Sequence, residues 1–336
     1  MPGKPLTELP LPGGQRLSAT EAAGELALRL DDQPLLRVAV QGLGAARVFE
    51  PLDLVGEQAG AQLEALAYWC FASEPTRLQV QLSLGQVPAA VLASGLLVDD
   101  GQGLRIERGA FWQLSGACLR VPGSAGYPQT QVMHASGRRH PRRPPKPRGE
   151  VYRRFDARLG AWVSLRCLEV EQDLERFSRW QNQPRVAHFW QEQGDLAQHR
   201  RYLESLAADP RVLTLIGCLD DEPFAYFEAY WAKEDRIAPF YAAGDYDRGI
   251  HLLVGEEHHR GPHKVAAWLG ALVHYLFLDE PRTQTLVLEP RADNLKMIGY
   301  LQSLGFFKEK EFDFPHKRAA LMALRREAFF ERCPLA

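Results

Sequence analysis

The chain has 336 residues, 46% of them hydrophobic, and a formal net charge of −2. That length holds one large domain or two ordinary ones, and the apolar share is enough for a buried core. A near-neutral chain excludes whole-molecule attraction to nucleic acid or to a membrane surface.

The opening "MPGKPLTELPLPGG" has no apolar run of signal-peptide length, and no stretch reaches the length of a membrane span. The five cysteines, Cys70, Cys118, Cys167, Cys218 and Cys333, include no CxxC pair. That usage predicts a reducing compartment rather than a disulfide framework, so a soluble cytoplasmic protein is expected.

"SGRRHPRRPPKPRGE", Ser136 to Glu150, is rich in proline and arginine and almost free of apolar residues. Such a stretch cannot build a core and predicts an extended linker. Nucleic-acid contact is the alternative, but no aromatic residues interleave as stacking platforms. The predicted layout is a domain over 1–135, a linker over 136–150 and a domain over 151–336.

The second half alternates between strand and helix patterns. "WVSLRCL" reads as a strand. "DLERFSRWQ" (from Asp173) and "DLAQHRRYLESLAAD" (from Asp195) have helical periodicity, each opened by an Asp able to cap it. "RVLTLIGCLDDEPFAYFEAYWA" predicts two strands around an acidic turn, and "GIHLLVG" (Gly249–Gly255) a third. "HKVAAWLGALVHYLFL" predicts a buried helix, "TLVLEP" a strand, and "NLKMIGYLQSLG" a helix closed by Gly305. "FFKEKEFDF" and "RAALMALRRE" predict a hairpin and a tail. The order β-α-α-β-β-β-α-β-α-β-β gives an α/β (α+β) domain, a mixed twisted sheet with helices on both faces.

The first half echoes this. "YWCFASEPTRLQVQLSL" (from Tyr68) resembles "YLFLDEPRTQTLVLEP" (from Tyr275), and "SGLLVDDGQGLRIE" resembles "LGFFKEKEFDF". Either the first half is a degenerate copy of the second, or two helix–strand units coincide. A copy would have lost any counterpart of "HHRGPHK".

"HLLVGEEHHRGPHK", His251 to Lys264, holds four histidines. A helical metal site needs imidazoles one turn apart, but Gly261-Pro262 separates His259 from His263. His258 and His259 are adjacent and are expected to point apart. A strand running through a Gly turn into a buried helix suits an anion instead, because it aims free amides and a helix dipole at one point. Arg260, His263 and Lys264 add donors. A loop metal site and a plain surface turn are the alternatives; no metal is expected.

"NLKMIGYLQSLGFF" (from Asn294) resembles the N-x-x-A-x-x-L-Y-x-x-x-G-F segment of the GNAT N-acyltransferases, with Asn294 and Gly305-Phe306 matching in spacing. "HRGPHK" sits where that family carries its pyrophosphate loop. Two positions depart: His263 replaces the second loop glycine, and Leu301 stands where many members carry a thiolate-protonating Tyr, with Tyr300 one residue off. "RWQNQPRVAHFW", "GIHLLVGEEHHRGPH", "FLDEPRTQTLVLEPRADN" and "EFDFPHKRAAL" further resemble the branch that acylates N-hydroxylated diamines and lysines for hydroxamate siderophores, including aerobactin-type and mycobactin-type members. Aerobactin-type members carry an N-terminal extension of similar size.

The resemblance implies acetyl-CoA or another acyl-CoA as co-substrate and a small amine or hydroxylamine acceptor. It implies catalysis by His251 as general base, supported by Asp293. Val254, Arg260, Gly261, His263, Lys264, Val265 and Asn294 are the expected coenzyme contacts. The aromatic and acidic stretch from Glu228 to Gly249 suits a cationic acceptor, so Glu228, Trp231, Tyr241 and Asp247 are expected contacts. His188 and Trp190 are expected to form the opposite wall. A siderophore synthetase is a candidate partner. A GNAT acting on another small amine and a non-catalytic CoA-binding scaffold are the other readings.

Overall fold

Short segments, two of whose connections are two-residue turns, build the first sheet. The computed structural model describes residues 7–335 apart from 102, 115, 117, 135 and 136. Its strands are β1 (Glu8–Pro10), β2 (Arg16–Ala22), β3 (Glu25–Leu30), β4 (Gln33–Gln41), β5 (Val48–Pro51), β6 (Gln79–Leu82), β7 (Val98–Asp99) and β8 (Leu104–Glu107), in the order 1-2-3-4-5-6-8-7. Ala23-Gly24 and Asp31-Asp32 sit at positive φ, 50° and 79°, then 48° and 63°. Two successive positive φ values twist a hairpin the way its strands twist. β5 and β6 are parallel, so the chain must cross over between them, and helix α1 (Ala59–Ser73) makes that crossing. Leu63, Leu66, Ala67 and Phe71 of α1 are fully buried. Two short helices, α2 (Ala89–Ala93) and α3 (Arg108–Phe111), complete this region.

The second sheet contains β11 (Glu150–Asp156), β12 (Ala161–Cys167), β13 (Val212–Leu219), β14 (Glu222–Trp231), β15 (Arg248–Val254), β16 (Thr285–Leu288), β17 (Phe307–Phe314) and β18 (Lys317–Arg325). A separate two-stranded ribbon, β9 (Gln131–Met133) and β10 (Arg139–Pro141), precedes it. The order 11-12-13-14-15-16-18-17 repeats that of the first sheet strand for strand. The parallel pair also recurs in the same place, β15 beside β16, bridged by α7 (Pro262–Asp279). The Tyr68 and Tyr275 segments occupy equivalent helix-to-strand passages. The internal echo is therefore a shared topology: a domain with the same strand order precedes the second one.

The copies differ where chemistry would reside. Between β12 and β13 the chain inserts α4 (Val170–Gln181), α5 (Pro184–Trp190) and α6 (Leu196–Ala208), whereas β2 turns straight into β3. From Val48 to Glu74 there is no Lys, Arg or His, so α1 has no basic loop at its start.

Compact contacts divide the chain into Met1–Ala117 with Arg154–Ala161 and Phe330–Ala336, and Cys118–Arg153 with Trp162–Phe329. The expected boundary at 135/136 falls on residues outside the described ones. The Pro/Arg-rich stretch is extended, as its composition requires, but it is packed. Arg143 is 9% exposed, donates to both Glu234 oxygens at 2.6 Å, and lies 4.2 Å from the Trp231 ring.

Both faces of the second sheet are covered. Leu174, Phe177 and Trp180 of α4 and Leu203 of α6 pack on Ile216, Tyr226 and Leu253. Across the sheet, Phe227 stacks on Trp268 of α7 at 5.6 Å. Burying each such large side chain contributes roughly 1.5–3 kcal/mol.

Several elements differ from the sequence reading. β11 precedes the expected first strand, α5 is a third helix seeded by Pro184 at its first turn, and α9 (Arg326–Arg332) replaces the expected tail. Asp195 does cap its helix, in a reciprocal box with Gln198. Asp173 does not; α4 starts at Val170, and Asp173 instead pairs with Arg166 at 2.7 Å from inside the helix. The last expected helix, α8 (Leu295–Leu304), ends at Gly305 with φ 113°, and its N-cap is Asn294, which accepts from the Met297 amide.

Candidate active site

β15 pairs with β14 over all seven residues, but with β16 only at Arg248 and Gly249. Beyond Gly249 the parallel strands part. One edge of β15 from Ile250 to Val254 thus faces a wedge rather than a neighbouring strand, where Trp190 and Arg185 take the Leu252 and Val254 carbonyls.

His251 stands at the head of that wedge. Glu228 is its cross-strand partner on β14, so both side chains project from one face. Nδ1 of His251 lies 2.8 Å from Glu228 Oε2 and Nε2 lies 2.7 Å from Glu289 Oε1. Glu289 directly follows β16. Each carboxylate is closed on its other oxygen: Tyr202 and Tyr226 donate to Glu228 at 2.6 and 2.8 Å, and Tyr230 donates to Glu289 at 2.8 Å. Gly249 makes room for Tyr230, since a Cβ there would sit 1.9 Å from the Tyr230 ring.

Two buried carboxylates hold the imidazole as a cation. Burial alone would pull the ring's pKa down, but the Glu289 charge and hydrogen bonds to Glu228 and Glu289 push it up to about 10. Burial likewise opposes ionisation of Glu289, yet the charge and hydrogen bond of His251 hold it down to about 2. Glu228 is lowered the same way, against its own burial. The resting centre is carboxylate–imidazolium–carboxylate.

Asp293 lies elsewhere. It is exposed, and its carboxylate takes both fork donors of Arg291, at 3.0 and 2.6 Å. The structure brings Glu228 and Glu289, not Asp293, to the imidazole. In the sequence Glu289 reads only as the end of the "LVLEP" strand; its place after the parallel partner of the His251 strand is the signal that points to it.

The other expected contacts lie in four places. Trp190 donates to the Leu252 carbonyl at 3.2 Å and meets His251 edge-on at 6.3 Å, so it walls the site. His188 is exposed on α5, 4.7 Å from the Phe189 ring; Asp293 is lowered chiefly by its hydrogen bond to Arg291, with His188 a minor contributor. Trp231 projects from the opposite face of β14 to Glu228, between Arg143 and Arg248 at 4.2 and 4.1 Å. Tyr241 and Asp247 bond each other at 3.3 Å, and Asp247 also takes the Gly244 amide, closing a turn.

At the far end of β15 the chain turns through Gly261 into a long buried helix, as the sequence predicts. Gly261, φ 134°, precedes Pro262 at the first turn of α7, and no side chain caps the helix. Its first amides are therefore left open toward an anion. Arg260 and His263 are exposed, Lys264 is half-buried and Val265 is buried in the first turn. Arg185, from α5, donates to the carbonyl of Val254 at 2.6 Å and adds charge beside Arg260. Lys264 is bound to the His258 carbonyl at 2.8 Å.

The adjacent imidazoles do not point apart. Their centroids are 4.1 Å from each other, and both reach Glu222, at 2.9 Å from His258 and 3.0 Å from His259. These three are the one group among the described residues spaced to take a metal ion. They lie outside the His251 centre, and Glu222 is held low by the two rings.

Residues 169–314 match the model of the acetyltransferase (GNAT) domain. The chain is 42% identical over 265 residues to the N(6)-hydroxylysine O-acetyltransferase of Escherichia coli, covering 75% of this chain and 82% of that one. The chain belongs to the GNAT acyltransferases. It is also 38% identical to the hydroxyornithine transacylase of Ajellomyces capsulatus, covering 80% of this chain and 72% of the relative. A hydroxyornithine transacylase of Beauveria bassiana is 39% identical, over 82% of this chain and 56% of its own. Among solved structures, an uncharacterized protein from Bacillus halodurans superposes with a TM-score of 0.53 at 30% identity, covering 55% of this chain and 94% of that one. GNAT acetyltransferases draw their acyl group from a coenzyme A thioester. No helix among the described residues is long and apolar enough to cross a membrane.

Proposed function

We propose that this protein transfers an acyl group, acetyl in the first instance, from coenzyme A to the hydroxylated nitrogen of an ω-N-hydroxy amino acid or diamine, forming a siderophore hydroxamate. The observation that carries this is His251, held between Glu228 and Glu289 at the head of a strand wedge that ends on a basic helix start. The relatives named for hydroxylysine and hydroxyornithine acylation support the acceptor class.

An N-alkylhydroxylamine is mostly neutral at neutral pH, so its nitrogen attacks the thioester carbonyl without prior deprotonation. The adduct carries an acidic N–H and an oxyanion. Imidazolium charge beside the reacting atoms favours the oxyanion. The released proton passes into the Glu228–His251–Glu289 chain, where a weak base suffices because the donor is strongly acidic; the oxyanion then collapses with cleavage of the C–S bond, and the departing coenzyme thiolate takes up that proton to leave as the thiol. His251 is thus the pivot of proton transfer, and the carboxylates flanking it supply its basic sites. Asp293, beside His188, is assigned to the acceptor side.

Arg260, His263, Lys264 and the open amides of α7 take the pyrophosphate; Val254 and Val265 line the approach, and Asn294 shapes the start of α8. Trp190 and Glu228 face the acceptor. His188, Trp231, Tyr241 and Asp247 complete its lining or hold the lining in place. Dependence on coenzyme A thioesters suits a cytoplasmic enzyme that passes its product to a siderophore synthetase.

The test is thiol release from acetyl-CoA with N6-hydroxylysine, N5-hydroxyornithine, N-hydroxycadaverine and unmodified lysine. Release with a hydroxylamine and not with lysine is expected. Equal release with lysine would instead favour a general small-amine GNAT.

A further inference from the structure

Arg236 follows β14 in a turn whose backbone is fixed on both sides. Glu234 is gripped by Arg143, the Asp235 carboxylate takes the Ile237 amide at 3.1 Å, and Ile237 is fully buried. The Arg236 side chain, in contrast, is 51% exposed. Its guanidinium rests 5.2 Å from the Phe314 ring, with Nη2 3.8 Å from Glu289 Oε1. That separation is beyond hydrogen-bond reach, and the oxygen already takes His251 Nε2 at 2.7 Å. A rigidly mounted fork therefore stands two contacts from the imidazole with its donors unspent.

The charges around it are otherwise committed. Lys317 donates to the Glu289 carbonyl at 2.6 Å, Arg291 is paired with Asp293, and Asp235 holds its own turn. Glu192 is the exception. It is exposed on the loop between α5 and α6, anchored by its carbonyl to His199 at 2.9 Å. Trp190, two residues before it, lies 6.3 Å from the His251 ring, which brings the Glu192 loop to the same mouth; the Glu192 carboxyl is raised first by partial burial and then by Glu228. Among the described residues, neither the Arg236 guanidinium nor the Glu192 carboxylate makes a hydrogen bond, and the two do not pair with each other.

We propose that Arg236 and Glu192 form a subsite for an α-amino-acid head, the carboxylate on Arg236 and the ammonium on Glu192. This rests on the acyltransferase reading above. Two opposite charges held apart, neither of them hydrogen-bonded, complement a zwitterion, and a planar fork complements a carboxylate in particular. A few methylenes then bring the ω-nitrogen to His251. A diamine supplies no carboxylate and leaves Arg236 unmatched, so the subsite selects hydroxylysine-type over hydroxycadaverine-type acceptors. A carboxylate could also arrive on a dicarboxylic acyl group, and the test separates the two.

Wild type, Arg236→Met, Arg236→Lys and Glu192→Gln, all as full chains, are assayed with N6-hydroxylysine and N-hydroxycadaverine against acetyl-CoA. N-hydroxycadaverine is also paired with succinyl-CoA. Binding of L-lysine and cadaverine is measured in parallel by calorimetry. Losing a charged hydrogen bond is expected to raise KM for N6-hydroxylysine at least about tenfold in Arg236→Met, with Lys restoring part of it. The N-hydroxycadaverine reaction should stay unchanged, and Glu192→Gln should act in the same selective direction. An equal effect on both acceptors, or none, would overturn the subsite. So would a loss confined to succinyl-CoA, which would put the carboxylate on the donor. If no hydroxylamine reacts but lysine binds in an Arg236-dependent way, the reaction is wrong and the subsite stands. If lysine binding is also absent or indifferent to Arg236, both fall.

Discussion

Nε2 of His251 lies 2.7 Å from Glu289 Oε1, while the same ring's Nδ1 lies 2.8 Å from Glu228. An imidazole with a carboxylate on each nitrogen keeps both protons. His251 is therefore expected to remain an imidazolium through pH 8 and to titrate near 10, and Glu289→Gln to bring that titration down. Ring-nitrogen NMR reads this directly; a wild-type titration at the ordinary value of 6.5 would break the ion triad. The linked stability follows in sign. The raised His251 contribution is full below 6.5 and is lost as pH rises through about 10. The lowered Glu289 contribution is full above 4.5 and is lost as pH falls toward about 2.

Removing the ring should affect chemistry and spare coenzyme binding. His251→Ala is expected to lower kcat at least about a hundredfold, the scale of a positioned proton-transfer group, with coenzyme A affinity near wild type. Near-normal turnover in a folded variant would take His251 out of the mechanism.

Asp293 is bonded to Arg291 and not to the imidazole. Asp293→Asn should leave the His251 titration unmoved, whatever it does to acceptor KM. A downward shift of the His251 pKa would place Asp293 in the proton chain.

The α7 loop should behave as an anion site. Arg260→Ala and Lys264→Ala are each expected to weaken coenzyme A binding by about tenfold, more at low salt than at high, while kcat at saturating coenzyme changes little. Calorimetry at two ionic strengths checks this. Unchanged affinity in both variants would remove the loop from coenzyme recognition.

Much of this was legible in the sequence, for identifiable reasons. The alternation around "GIHLLVG", the apolar run of α7 and Gly305 are local signals, and each fixed an element. The internal copy was visible only as two weak echoes, because topology can persist after side chains have diverged. Glu289 and Arg236 were not legible: each reaches His251's surroundings through strand order, which periodicity does not encode. The pairing of His258 with His259 on Glu222 was missed because a 3-10 turn over Glu257–His259 brings adjacent rings together where an extended strand would part them.

Close packing around the triad gives a stability test. A Cβ on Gly249 would meet the Tyr230 ring at 1.9 Å, and Tyr230 holds Glu289. Gly249→Ala is expected to cost about 1–3 kcal/mol in denaturant unfolding. An unchanged midpoint would mean that Tyr230 is free to move.

The most direct measurement is the structure of the product from acetyl-CoA and N6-hydroxylysine. A hydroxylamine offers both nitrogen and oxygen to the acyl group, and only the N-acyl product is a hydroxamate that colours with ferric iron. Stoichiometric thiol release with a ferric hydroxamate band and an acetyl group on nitrogen by NMR is the expected result. Thiol release with an O-acetyl product, or none with any hydroxylamine in protein that binds coenzyme A, would contradict hydroxamate synthesis at His251.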